Sequence, residues 1–67
     1  MEFIEGEIYR HDRSMDIDMV IRRVVDVTPK GTKLKVLWVS KQSRRFITED
    51  EVFVTAEQYP NWKQVPE

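Results

Sequence analysis

The residues of this chain able to do chemistry fall in two places. The first is the run His11-Asp12-Arg13-Ser14, which holds the residue types of a hydrolytic triad. A triad needs a nucleophile, a base and an orienting acid that converge from separate elements around an oxyanion site. Consecutive loop residues do not supply that convergence, so this run is read as a polar loop. His11 with Asp12, Asp16 and Asp18 offers imidazole and carboxylate donors at alternating positions, a pattern that can share a cation. The glycine and the terminal bidentate glutamate of a calcium loop are missing from it. No catalytic residue, metal or cofactor is therefore expected, and no small-molecule substrate. The chain has no cysteine, which removes disulfides, cysteine-ligated zinc and thiol catalysis together.

The second place is the basic middle. Net charge is −1, but it is unevenly laid out. Residues 1–18 carry six acids against Arg10 and Arg13. Residues 19–48 carry eight bases against Asp26 alone, and residues 49–67 return to five acids against Lys63. Lysine and arginine that neutralise phosphates supply most non-specific nucleic-acid affinity. Arg22, Lys33, Lys35, Lys41, Arg44 and Arg45 are the candidates for that role. Opposing it, acidic ends that fold back beside the middle would cancel its field, and the chain as a whole lacks the strong basic character of a nucleic-acid binder.

These residues need elements to position them, and 67 residues make one small domain with a thin core. Met19–Thr28 is dense in β-branched residues and free of glycine and proline, which predicts a long strand. Pro29-Lys30-Gly31-Thr32 predicts a turn. Lys33–Lys41 predicts the returning strand. Pairing Thr28 with Lys33 sets Val27, Val25, Arg23 and Ile21 against Leu34, Val36, Trp38 and Ser40 on one face, with Arg23 over the Trp38 ring. The other face then sets Asp26, Val24, Arg22 and Val20 against Lys35, Leu37, Val39 and Lys41. Gln42-Ser43 predicts a second turn, and Arg44–Thr48 a strand that brings Phe46 near Trp38 as a core anchor. Glu49-Asp50-Glu51 reads as a polar or 3₁₀ turn before a last short strand, Val52–Val54. At the start, Glu2–Tyr9 reads as the first strand with Gly6 at a bulge or close approach, and His11–Asp18 as the loop that follows.

The order strand, loop, strand, turn, strand, turn, strand, 3₁₀ turn, strand resembles that of the SH3-like small barrels. The resemblance covers residues 2–55 and implies an all-β, five-stranded SH3-like barrel over residues 1–55, with residues 56–67 as a C-terminal tail packed on the barrel or on a partner. The stretch VVDVTPKGTKLKVLWVS is similar in rhythm to the strand, turn, strand and tryptophan of chromodomains. Where that family adds a second cage aromatic, this chain has Lys41, Gln42 and Ser43, so the resemblance implies architecture and not methyl-lysine recognition. Neither resemblance fixes a function.

Val20, Val24, Leu37 and Val39 form an apolar stripe on one predicted face, joined by Ile47 if the third strand pairs as proposed. Strands apolar on both faces are covered on both. Either the barrel's own curvature or the tail with Tyr59 and Trp62 covers this stripe, or it stays open as a protein-binding patch. In the latter case Tyr59 and Trp62 are free to anchor a partner. The reading that follows is a non-enzymatic interaction module, an adaptor or a small subunit of an assembly, of a kind common in phage and bacterial genomes. Its expected partner is another protein or its own copies, with nucleic-acid binding as the alternative. The sequence has no basic region followed by an apolar stretch at its start and no apolar run of membrane-spanning length, so a cytoplasmic setting is expected.

Overall fold

The computed structural model describes residues 2–14 and 16–66. Met15, in the predicted loop, and Glu67, at the end of the predicted tail, lie outside the described residues. The chain is all-β. Five antiparallel strands, β1 (Ile8–His11), β2 (Ile17–Thr28), β3 (Gly31–Ser40), β4 (Phe46–Thr55) and β5 (Trp62–Gln64), form one sheet in the order β4-β3-β2-β1-β5. A 3₁₀ helix, Ala56–Asn61, leads into β5. Edge strands β4 and β5 do not pair, so the sheet is open.

The hairpin of β2 and β3 forms where the β-branched run predicts it, but in another register. Thr28 pairs with Gly31 across a turn of only Pro29 and Lys30, which the Thr28 hydroxyl secures by accepting the Lys30 N–H at 3.2 Å and donating to the Gly31 carbonyl at 3.1 Å. Two irregularities follow, between Ile21 and Arg23 and between Val24 and Asp26, each of them one extra residue in β2. Arg23 consequently faces Lys35, Trp38 faces Met19, and Asp26 faces Lys33. The predicted Arg23–Trp38 and Asp26–Lys35 pairs are therefore not formed. The first irregularity also moves Val24 opposite Leu34, onto the same face as Ile21 and Val36. At this point the ladder is patched from outside, since the Val24 N–H donates to the Glu5 carboxylate at 3.1 Å.

The core lies on one face of the curled sheet and comprises Phe3, Tyr9, Met19, Ile21, Leu34, Val36 and Val54, with Val24, Trp38, Val52, Tyr59 and Trp62 packed half-buried against it. Phe3 reaches the core because residues 2–7 do not continue β1. They fold through a turn in which the Glu7 N–H donates to the Ile4 carbonyl, with Gly6 at φ +86°, a conformation that costs glycine nothing. Phe3 then meets Tyr9 edge-on at 4.9 Å between centroids. Phe46, predicted to anchor the core, is 61% exposed, because it pairs with Val39 on the opposite face.

The acidic triplet Glu49-Asp50-Glu51 is not a turn. It lies in the middle of β4, an uninterrupted ten-residue strand. The 3₁₀ helix and the last strand come later, within the segment predicted as a tail. Thr55 and Gln58 cap the helix, Tyr59 pins it to the sheet by a 2.6 Å hydroxyl contact with Thr32, and β5 pairs with β1 through Tyr9–Gln64, Arg10–Lys63 and His11–Trp62. On the reverse face Asp18 is fully buried and held by Arg10 (2.7 and 3.0 Å) and Arg44 (3.2 Å). The hydrogen bond to Asp18 raises the Arg10 pKa above its ordinary value, outweighing the desolvation that lowers it.

Candidate protein-interaction groove

The loop between β1 and β2 is built by its polar side chains. Ser14 Oγ donates to the Ile17 carbonyl at 2.8 Å and accepts the Ile17 N–H at 3.3 Å, and His11 Nδ1 accepts the Arg13 N–H at 3.1 Å. Ser14 Oγ and His11 Nδ1 are thus engaged in closing the loop, and Asp12 joins it to the other side through its backbone N–H, which donates to the Asn61 carbonyl at 2.8 Å. Among the described residues no group of three or more metal-ligating side chains is gathered, and Asp18 is taken by its two arginines. A backbone bond from Lys41 N–H to the Asp16 carbonyl (2.8 Å) ties the loop to the turn after β3. In that turn Arg44 adopts φ +59°, unusual for a residue with a side chain, and its guanidinium reaches Asp18.

This loop forms one wall of an apolar groove of about 320 Å³, lined by Ser14, Ile17, Trp38, Ile47, Thr48 and Trp62. Each strand places its member for a local reason. Ile17, Met19 and Ile21 alternate on one face of β2 opposite Ser40, Trp38 and Val36. The pairing of β3 with β4 slips between Trp38 and Val39, where Thr48 and then Phe46 are the partners, so Ile47 is the extra residue that bulges at the groove. Trp62 opens β5 opposite His11, whose ring stands edge-on to the indole at 5.0 Å. The Trp38 and Trp62 rings are 6.4 Å apart and inclined by 35°. Together with Ile17 and Ile47 they line an apolar cleft with two hydroxyls, Ser14 and Thr48, at its margin. Its volume is at the lower end of the range for ligand pockets, which suits one side chain better than a whole small molecule.

The predicted stripe is divided by the observed register. Val24 belongs to the core face. Val20 and Leu37 pair half-buried on the reverse face, and Val39, opposite Asp18, is buried there. Tyr59 is held by Thr32 and stacks edge-on against Phe3 at 5.9 Å. Of the six protein-binding candidates, Trp62 alone lines the groove. Ile47, named only as a conditional member of the stripe, lines it too, whereas Trp38, Ile17, Ser14 and Thr48 were not among the candidates. The two-residue alternation of Ile17, Met19 and Ile21 was the signal that could have extended β2 and found Ile17.

The basic candidates are also dispersed. Lys33 is bonded to Glu51 at 3.0 Å, Lys35 lies opposite Glu51 in a recess shared with Glu49 and Asp50, and Arg44 is bonded to Asp18. Arg22 sits at the first irregularity of β2, while Lys41 and Arg45 are exposed around the turn before β4. Comparison with family models, curated proteins and solved structures returned no match. Among the described residues, no helix is long and apolar enough to cross a membrane.

Proposed function

We propose that this protein is a non-enzymatic interaction module that takes an apolar side chain of a partner protein into the groove lined by Trp38 and Trp62. The order of strands, with a 3₁₀ helix before a last strand that returns to the first, supports reading the sheet as a variant of the SH3-like barrel. The observation that carries the functional reading is the groove itself. It gathers two indoles, Ile17 and Ile47 around one concave apolar surface. The alternative, a nucleic-acid interface on Arg22, Lys33, Lys35, Lys41, Arg44 and Arg45, is less supported because Lys33 and Arg44 already have carboxylate partners and Lys35 faces acids.

Complete burial of one leucine side chain contributes about 1.5–3 kcal/mol, so a single captured residue gives no better than roughly millimolar affinity. The test is an NMR titration with N-acetyl-leucinamide and, as a polar control, N-acetyl-serinamide. Shifts of the Trp38 and Trp62 indole N–H and of the Ile17 and Ile47 methyl signals with the leucine probe, lost in Trp62→Ala, are expected. No shift at either indole, or equal shifts with the serine probe, would exclude the groove as the site of capture.

A further inference from the structure

A groove for one side chain is too small to hold a partner by itself, and the element beside it supplies what is missing. Ile47 and Thr48 both line the groove and open the ten-residue strand β4, which is exposed along its length except at Val52 and Val54. As an edge strand β4 is paired on one side only, with β3. The direction of its free side can be read from its hydrogen bonds. The Ala56 N–H continues the ladder inward to the Lys30 carbonyl at 2.9 Å. The Glu51 and Thr55 N–H groups are instead taken by side chains of β4 and the helix, Asp50 Oδ1 at 2.8 Å and Gln58 Oε1 at 3.1 Å. Backbone direction alternates along a strand, so the odd-numbered amides, Glu49 and Phe53 included, point away from the sheet.

Resting on the groove reading, we propose that the partner is an extended basic segment that adds to β4 as a sixth strand and places one apolar side chain in the groove lined by Trp38 and Trp62. Register decides the arrangement. Thr48 and Asp50 pair with Trp38 and Val36 and share their face. A strand laid along β4 therefore puts one side chain beside Thr48, at the mouth of the groove, and the next on that face beside Asp50. Charge decides the occupant. Among the described residues the ion pairs take up Glu51, through Lys33, but neither Glu49 nor Asp50. A lysine or arginine two positions from the apolar anchor meets Asp50. A second copy is disfavoured, because antiparallel pairing of β4 with itself about its centre sets Glu49, Asp50 and Glu51 against the same three acids. The mode of attachment is general, with main-chain bonds giving affinity and alternate side-chain sites giving specificity.

The probe is a capped peptide of about nine residues, long enough to match a typical strand, that alternates lysine with threonine and carries a central leucine on the lysine face. It is compared with the same peptide bearing glutamate for lysine and with a lysine peptide N-methylated at alternate amides. The lysine peptide is expected to slow hydrogen exchange at the Glu49 and Phe53 amides and to shift both indoles. It should bind about tenfold more tightly than the glutamate peptide at low salt, with a difference that shrinks as salt rises. Glu49→Pro, which removes one outward N–H, should weaken binding of the lysine peptide about three- to tenfold, and N-methylation at alternate amides, which removes several backbone donors at once, should weaken it by more. Glu49→Gln separates the charge from the hydrogen bond. Indole shifts without protection in β4 would overturn strand addition and leave the groove standing, and equal binding of the lysine and glutamate peptides would overturn the basic partner. Protection of β4 that grows with protein concentration alone would make a second copy the occupant and overturn the basic partner. Silent indoles with both the peptide and N-acetyl-leucinamide would remove both readings.

Discussion

Replacing Gly31 by alanine puts a methyl group where the sheet has no room for one. Gly31 is buried at the start of β3, paired on one side with Thr28 and on the other with Thr55. A Cβ there falls against the Val54 carbonyl oxygen and within 2.7 Å of two carbons of the Phe53 ring. The ring can yield, since Phe53 is 47% exposed and on the outer face. The carbonyl cannot, because Val54 is buried and pairs with Thr32, the residue that holds Tyr59. Overpacking of this kind costs about 1–3 kcal/mol, and the entropy that glycine loses on folding returns about 0.4–1 kcal/mol of it. A net loss of about 1–2 kcal/mol is expected, against a total stability for a chain this size of roughly 3–10 kcal/mol. In thermal melts this appears as a fall of roughly 5–15 °C. Hydrogen exchange should localise the damage to the end of β4 and the 3₁₀ helix, with the β1–β2 pairing less affected. The double variant Gly31→Ala with Phe53→Ala tests the cause, because it relieves the ring contact and leaves the carbonyl contact in place. Complete rescue by the second substitution, or an unchanged melt for Gly31→Ala alone, would refute the assignment of the cost to the β3–β4 backbone approach.

Other expectations follow from the same geometry. Tyr59→Phe leaves the buried Thr32 hydroxyl without its partner and should cost about 1–3 kcal/mol in urea unfolding; a loss below about 0.5 kcal/mol would mean that Thr32 finds another hydrogen-bond partner. Asp18→Ala removes the carboxylate that three guanidinium bonds converge on, and because the arginines can turn to water the loss should lie at the lower end of the 3–5 kcal/mol range, about 3 kcal/mol. Arg44→Ala should cost less than Asp18→Ala, since Arg10 keeps both of its bonds. In fluorescence anisotropy with mixed-sequence DNA, six phosphate contacts would give a slope of log affinity against log salt near −5, whereas the three basic candidates outside the acid-lined positions, Arg22, Lys41 and Arg45, allow no more than about −3. A slope near −5 would restore the nucleic-acid interface.

The elements were legible where composition is unambiguous and illegible where one residue more or less decides the outcome. The β-branched run of β2 and the turn that contains Pro29 are visible in the residue types. The register is not, because the turn is two residues long and the irregularities at Arg22 and Val25 are marked by no glycine or proline. A single extra residue inverts every side chain beyond it. That is why Val24 lies inward and Arg23 outward. The triplet Glu49-Asp50-Glu51 reads as a turn because acids are depleted in strands, but charge is also how an edge strand is kept from pairing with the wrong neighbour. Trp38 was visible as a large ring and Trp62 as a candidate anchor, yet their meeting depends on β5 pairing with β1, where His11 meets Trp62, 51 positions further along the chain.

The uneven charge of the sequence acquires a meaning once the strand order is known. The basic middle and the acidic third segment are adjacent in space because β4 lies beside β3, so Lys35 faces Glu51 across the ladder and Lys33 reaches the same acid diagonally. On the outer face this consumes charge, as Lys33 and Glu51 show. On the groove face it does not, since Asp50 stands opposite Val36 and has no base across the ladder. The same register that neutralises one side of β4 thus leaves a carboxylate on the other, two residues along the strand from Thr48 and the groove. A stable hairpin does not require an acid there, whereas recognition of a basic strand by a sheet edge does. Asp50→Ala should therefore leave the melting temperature within the range of a surface substitution, about ±0.5 kcal/mol, while reducing the preference for the lysine peptide over the glutamate peptide. Loss of stability with no change in that preference would assign Asp50 to the fold, through its bond to the Glu51 N–H, and not to a partner.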